Sequence, residues 1–244
     1  MTLSKITVVG GSACTAAGLK EGSLAWPELL ERQIDSISVK THSRGGLTFV
    51  QSISLLTELS KCDVLILHFG TSVGWPRIVT KFQDRFGIKF SSEYGFQMPY
   101  QIPGKPFNVR FKKLLKMRIK NFIKYLFALL GFYQPKTSLH EIDDQIEIIH
   151  SLASKKADQI LWIQHRGLTA PRTLIERFFY NKFYKKVLQA LQPYHSESFV
   201  VVDFPDYLDN HRFYLDDLVH FSQDGHLEMC ELVVNQLRTL KKGI

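Results

Sequence analysis

This 244-residue chain is poor in cysteine, with only Cys14, Cys62 and Cys230. They are odd in number and scattered, and no pair has C-x-x-C spacing, which argues against a disulfide framework and against a cysteine zinc site. No stretch approaches the roughly 18 consecutive uncharged apolar residues that a membrane-spanning helix needs. There is no internal repeat and no low-complexity linker. The first residues run straight into a strand pattern with no secretory leader ahead of it, so a reducing, cytoplasmic location is expected. The last shortage is local. Between Glu93 and Glu141 there is no acidic residue, while Lys105, Arg110, Lys112, Lys113, Lys116, Arg118, Lys120, Lys124 and Lys136 are all basic. Removing those nine from the 31 basic residues leaves 22 against 23 acidic ones, so the net charge of +8 belongs to one segment.

What remains is ordinary for a globular α/β chain, with 45% hydrophobic and 22% charged residues. Ile6-Thr7-Val8-Val9 is a short β-branched run that stops at Gly10-Gly11 and delivers Ser12-Ala13-Cys14-Thr15. That order predicts strand, tight turn, helix. Residues 22–32 carry Leu24, Trp26, Leu29 and Leu30 at helical spacing. Residues 37–41 alternate as a second strand and lead into the glycine loop His42-Ser43-Arg44-Gly45-Gly46-Leu47-Thr48. A helix follows over 49–61. Residues 63–69 form a nearly continuous apolar run, expected of a central parallel strand covered on both faces. Strands are also predicted over 159–164 and 198–203, and helices over 139–154, 174–191 and 223–240. Strands alternating with helices predict a doubly wound, three-layer α/β fold with a five-stranded parallel sheet, flavodoxin-like in order 2-1-3-4-5. Residues 1–244 are read as one domain. Residues 77–140, rich in aromatics and base, are an insertion carrying a long helix over 107–130.

In such a sheet the loops leaving the carboxyl ends of the strands form the ligand crevice. Ser12, Gly45-Gly46, Gly70-Thr71-Ser72 and the pair Asp217 and His220 all fall on those loops. A serine in the first turn suits a nucleophile, a phosphate-binding turn or a plain helix cap. An acyl-transfer site needs a nucleophile, a base, an orienter of that base and donors for an oxyanion. In Asp217-x-x-His220 the carboxylate can hold one ring nitrogen while the other faces Ser12. This chemistry requires no metal and no cofactor.

These residues resemble the blocks of the SGNH (GDSL-type) hydrolase superfamily. Gly10-Gly11-Ser12-Ala13-Cys14 stands for the family's Gly-Asp-Ser block, and Gly46-Leu47-Thr48 for its glycine block. Gly70-Thr71-Ser72-Val73 stands for Gly-x-Asn-Asp. Asp217-Leu218-Val219-His220 followed by Gly225-His226 stands for the last block. The resemblance implies Ser12 as nucleophile, His220 as general base and Asp217 as its orienter. The N–H groups of Ser12 and Gly46 are implied as oxyanion donors, with Ser72 where the family has an asparagine amide. Gly11 also replaces the first-block aspartate. Losing one oxyanion donor costs on the order of 10²–10³ in rate, so these two departures point to a substitute donor, a slow enzyme or a repurposed site. Arg77 is the candidate substitute or substrate-anion contact. The stretch from Gly70 to Arg77 further resembles a subgroup encoded near bacterial surface-polysaccharide genes, which implies a saccharide-linked ester as substrate.

His68 and His165, at strand ends on the same edge, are candidate substrate contacts or half-buried structural histidines. His226 and Cys14 read as packing residues. The basic helix reads as a solvated lysine face, as a peripheral contact with an anionic membrane surface through 105–124, or as a site for an acidic glycan; no nucleic-acid module is recognisable. The expected function is a serine esterase, with acyltransferase chemistry open. Its rival is a catalytically weak binding protein on the same fold.

Overall fold

The computed structural model describes residues 4–34, 37–70, 73, 76–78, 122, 126, 130, 133–135, 137–165, 174–215 and 220–242, of which 76–78, 133–135, 174–177, 209, 211, 241 and 242 by their backbone alone. Five parallel strands make the main sheet: β1 (Lys5–Gly10), β2 (Ser38–Ser43), β3 (Cys62–Phe69), β6 (Ala157–Gln164) and β7 (Phe199–Val202). Their order, β2-β1-β3-β6-β7, is the expected doubly wound one. Two further three-residue strands, β4 (Pro76–Ile78) and β5 (Tyr133–Pro135), pair antiparallel with Arg77 opposite Gln134.

The near-continuous apolar runs resolve into two alternating sets, because successive strand residues point to opposite faces. Ile6, Val8, Val64, Ile66, Leu161 and Ile163 share one core with Trp26, Leu30, Phe221, Met229 and Val233. Those partners come from α1 (Trp26–Gln33), from the loop ahead of α5, and from α5 (Gln223–Lys242) itself. Val9, Leu65, Leu67, Phe69, Ile160 and Trp162 face the other way. They meet Phe49, Leu56, Ile142, Ile146, Ile149, Phe183 and Val187 from α2 (Phe49–Glu58), α3 (Ile142–Lys156) and α4 (Leu174–Leu191). Burying each of these large side chains contributes about 1.5–3 kcal/mol.

The helix starts have local causes. Thr48 accepts from the Gln51 N–H at 3.3 Å while the Gln51 side chain accepts from the Thr48 N–H at 3.0 Å, a reciprocal cap. Pro27 sits in the first turn of α1, where the missing N–H is harmless. That helix begins at Trp26, later than the apolar spacing indicates, because Gly18 and Gly22 adopt φ of +81° and +84° in the turns before it.

The β4–β5 ribbon is a feature the sequence pattern does not announce: three-residue strands carry no periodicity, and these two pair across more than fifty intervening residues. Of the expected helix over 107–130, Phe122 and Leu126 are helical and the rest, apart from Leu130, lies outside the described residues.

Gly225, in the first turn of α5, is where the last helix meets the preceding loop. A Cβ there would stand 2.1 Å from the Phe213 carbonyl oxygen. Gly225→Ala is therefore expected to cost about 1–3 kcal/mol in a urea titration. Gly45→Ala, with nothing within 4 Å of its added methyl, is expected to stay within about 0.5 kcal/mol.

Candidate active site

β1 hands the chain to the site through a turn that only glycine fits. Gly10 lies between Ser43 of β2 and His68 of β3 in the sheet register. A Cβ on it would be 2.3 Å from Cys14 Sγ and 2.9 Å from the His68 carbonyl oxygen. The Gly11 N–H still donates to that carbonyl at 3.2 Å, after which the chain turns over a short 3-10 segment, Ser12–Cys14. The Cys14 N–H closes on the Gly11 carbonyl at 3.0 Å, and the Thr15 hydroxyl and N–H both donate to the Ser12 carbonyl, at 2.8 and 3.1 Å. Ser12 is thereby held half-buried at the carboxyl edge of the sheet.

The glycine loop is tied to the same spot. The Arg44 N–H donates to the Gly10 carbonyl at 3.1 Å, and the Leu47 N–H to the Arg44 carbonyl at 3.1 Å. Between them Gly46 takes φ +69°, the left-handed conformation that favours glycine. The bond from Arg44 to Gly10 fixes this loop to the strand end that presents Ser12.

His220 arrives from the far end of the chain. Its carbonyl accepts from the Leu215 N–H at 2.8 Å, and Tyr214 and Phe221 form an antiparallel bridge. The loop they close is pinned to α5 by Ser222, whose hydroxyl donates to the Arg212 carbonyl at 2.8 Å and accepts from the Gly225 N–H at 3.2 Å. His220 is half-buried. Asp217 and Ser72 lie outside the described residues. Arg77 is on β4, with only its backbone described.

Beneath these loops lies a buried stack of rings. His68 and His165 are stacked with centroids 4.8 Å apart, and Phe221 lies 5.2 Å from His165 and 6.4 Å from His68. His226 meets Phe221 edge-on at 5.4 Å, and its Nδ1 accepts from the Trp26 N–H at 3.2 Å. Cys14 Sγ sits 3.5 Å from His68 Nδ1.

The two strand-end histidines lie within this stack, deeper than the half-buried position expected of structural ones: His68 is fully buried and His165 3% exposed. His226 is the packing residue expected of it. Burial pushes the Cys14 thiol far up, only partly offset by the neighbouring Trp26 indole. Burial therefore favours the protonated thiol of Cys14 over the nucleophilic thiolate. The same desolvation holds His68 well below the ordinary histidine value, reinforced by the charges that His165 and His226 would carry. His226 is lowered to about 4, by burial first and by His220 second. Sequence reasoning missed the part played by Phe221; its position directly after His220 was the available signal. Among the described residues no group of three or more His, Cys, Asp or Glu side chains could hold a metal ion.

This architecture is shared with solved lipolytic hydrolases. No family model matches the sequence, and no curated protein matches it either. Among solved structures, the chain is similar to TesA (14% identity, 97% of this chain and 99% of that one, TM-score 0.58). It is also similar to a lipase/acylhydrolase from Enterococcus faecalis (15% identity, 96% and 95% coverage, TM-score 0.57). A third is a catalytic serine-to-alanine mutant of Axe2, an acetylxylan esterase from Geobacillus stearothermophilus (14% identity, 95% and 93% coverage, TM-score 0.56). At these identities the likeness is one of fold.

The buried histidines set a pH dependence. A histidine with a folded pKa of about 4 for His226, against about 6.5 unfolded, binds fewer protons in the native state. Its contribution to stability is complete above about 6.5 and is lost progressively as the pH falls toward 4. Chemical denaturation at neutral and acidic pH should show this fall. His226→Asn keeps an acceptor for the Trp26 N–H but removes one titrating ring, and is expected to make the fall shallower while His68 still contributes.

Proposed function

We propose that this protein is a serine ester hydrolase or acyltransferase acting on an acylated saccharide. The observation that carries the reading is the convergence of two distant loops. Cys14, in the turn that carries Ser12, touches His68, and Phe221, the residue after His220, packs on His68 and His165. The fold shared with acylhydrolases and an acetylxylan esterase is in keeping with it.

In this reading Ser12 Oγ attacks the ester carbonyl while His220 takes its proton. The tetrahedral intermediate collapses and expels the alcohol, which leaves with the proton from His220. Water or an acceptor hydroxyl then attacks the acyl-enzyme, losing its proton to His220, and Ser12 departs as the free hydroxyl. Asp217 orients the imidazole and stabilises its charged form. The N–H groups of Ser12 and Gly46 receive the oxyanion, with Ser72 as the third donor and Arg77 against an anionic part of the substrate. The saccharide class rests on the likeness of the 70–77 stretch to proteins encoded near surface-polysaccharide genes. The proposed location is cytoplasmic, in keeping with three unpaired cysteines; no helix among the described residues is long and apolar enough to cross a membrane.

A second reading, a binding protein that has lost its chemistry, is favoured by Gly11 and Ser72 standing where the family has aspartate and asparagine. A fluorophosphonate probe separates the two. Labelling of the folded protein that disappears in Ser12→Ala supports the esterase, and no labelling supports the binding protein. With a short acyl ester, Ser12→Ala should lose on the order of 10⁶ in kcat and Asp217→Asn on the order of 10⁴. If the short Ser72 hydroxyl limits oxyanion binding, Ser72→Asn should raise kcat by up to about 10²-fold; an unchanged rate would remove Ser72 from the oxyanion hole.

A further inference from the structure

Cys14 closes the turn that presents Ser12, and its side chain is tied down beneath that turn. The residue is buried. Its N–H donates to the Gly11 carbonyl at 3.0 Å, and its Sγ lies 3.5 Å from Nδ1 of the fully buried His68. Gly10 is bare where the sulfur passes: a Cβ there would stand 2.3 Å from it. Ser12 therefore sits between two anchors, the strand end at Gly10 and the sulfur two residues further on. A three-residue turn held at both ends leaves its first residue little freedom to shift alone.

The direction of the Cys14–His68 bond follows from its neighbours. Burial favours the protonated thiol and the neutral imidazole, so each partner carries a single proton. The Trp26 indole N–H can only donate; it faces the same sulfur and has no closer acceptor among the described residues. A sulfur that accepts from Trp26 has its own proton left to give, and His68 Nδ1 is the acceptor within reach. The opposite arrangement would set two donors on one sulfur and leave the S–H with nothing to meet. His68 Nε2 has no partner among the described residues, so the contact with Cys14 is what fixes the tautomer of the ring.

We propose that Cys14 is a positioning residue for Ser12: its thiol donates to His68 Nδ1, holds His68 in the Nε2–H tautomer and locks the Ser12 turn onto the central strand. The role rests on the reading of Ser12 as the nucleophile. It differs from that of a packing residue. A small apolar side chain would fill the space beside Gly10 but leave Nδ1 without a partner, and a displacement of about 1 Å at a nucleophile is enough to cost on the order of 10²-fold in rate. The same bond couples the turn to the His220 loop, because His68 also packs on Phe221, the neighbour of His220.

The test compares the rate of fluorophosphonate labelling of Ser12 in the full chain with the rates in Cys14→Ala and Cys14→Ser. Melting temperatures and a two-bond ¹⁵N–¹H correlation spectrum of the histidine rings at neutral pH accompany it. His68 is expected as the Nε2–H tautomer in the wild type. Cys14→Ala should slow labelling at least about tenfold, whereas Cys14→Ser, which keeps a donor of similar size, should stay within about threefold of the wild type. A packing role predicts the reverse order, since alanine is the apolar replacement and serine buries a hydroxyl. Should Cys14→Ala fold poorly, His68→Leu against His68→Asn makes the same comparison from the other partner: labelling slow with leucine, restored by the asparagine amide near the Nδ1 position. Three results would overturn the proposal alone: His68 as the Nδ1–H tautomer in the wild type, unchanged labelling in Cys14→Ala, or a loss in Cys14→Ser equal to that in Cys14→Ala. A wild type that does not label at all removes the esterase reading and this role with it.

Discussion

The stack of His68, His165 and Phe221 is the contact on which the site depends. It is the place where the first and last parts of the chain are made to agree. His68 ends the central strand and touches Cys14, the last residue of the turn that presents Ser12. Phe221 follows His220 directly and packs on both histidine rings. Displacing Phe221 would free the His220 loop from the sheet, and enlarging Gly10 would push Cys14 off His68. The rings act as apolar plates here. Their burial keeps at least His68 and His226 neutral at pH 7, and a charged imidazole in this position would face neighbours of the same sign.

The histidines of this region differ in their surroundings. His68 and His226 have their basicity suppressed by desolvation, whereas His220 remains half-buried on its loop. The difference has a cost. The lowered pKa values of His68 and His226 tie the stability of the crevice floor to pH. Each ring of the floor is held from more than one side. His226 alone joins α1, through the Trp26 N–H, to Phe221 and the base of α5.

The insertion follows a different logic. The main sheet draws its strands from both sides of it, and the β4–β5 ribbon brings its two ends together. A segment entered and left through adjacent strands can vary in composition without disturbing the core.

Much of the fold was determined by the sequence itself. Continuous apolar runs bounded by turns specify central parallel strands, and their alternation with amphipathic segments specifies helices on both faces. The order β2-β1-β3-β6-β7 follows from these patterns and the right-handedness of the crossovers. The turn that carries Ser12 was legible because β1 ends in glycine, which leaves few places for the next residues to go. The role of His68 and His165 was not legible. A histidine at a strand end has the same spelling whether it touches a ligand or a neighbouring ring, and the packing of Phe221 on both rings comes from 153 residues beyond His68 and 56 beyond His165. The β4–β5 ribbon was hidden for a related reason: three-residue strands carry no period, and their pairing exists only once the chain between them has returned. Local periodicity is written in the order of residues. Burial by a distant partner is not, and the tertiary structure alone makes the floor of this site a packed one.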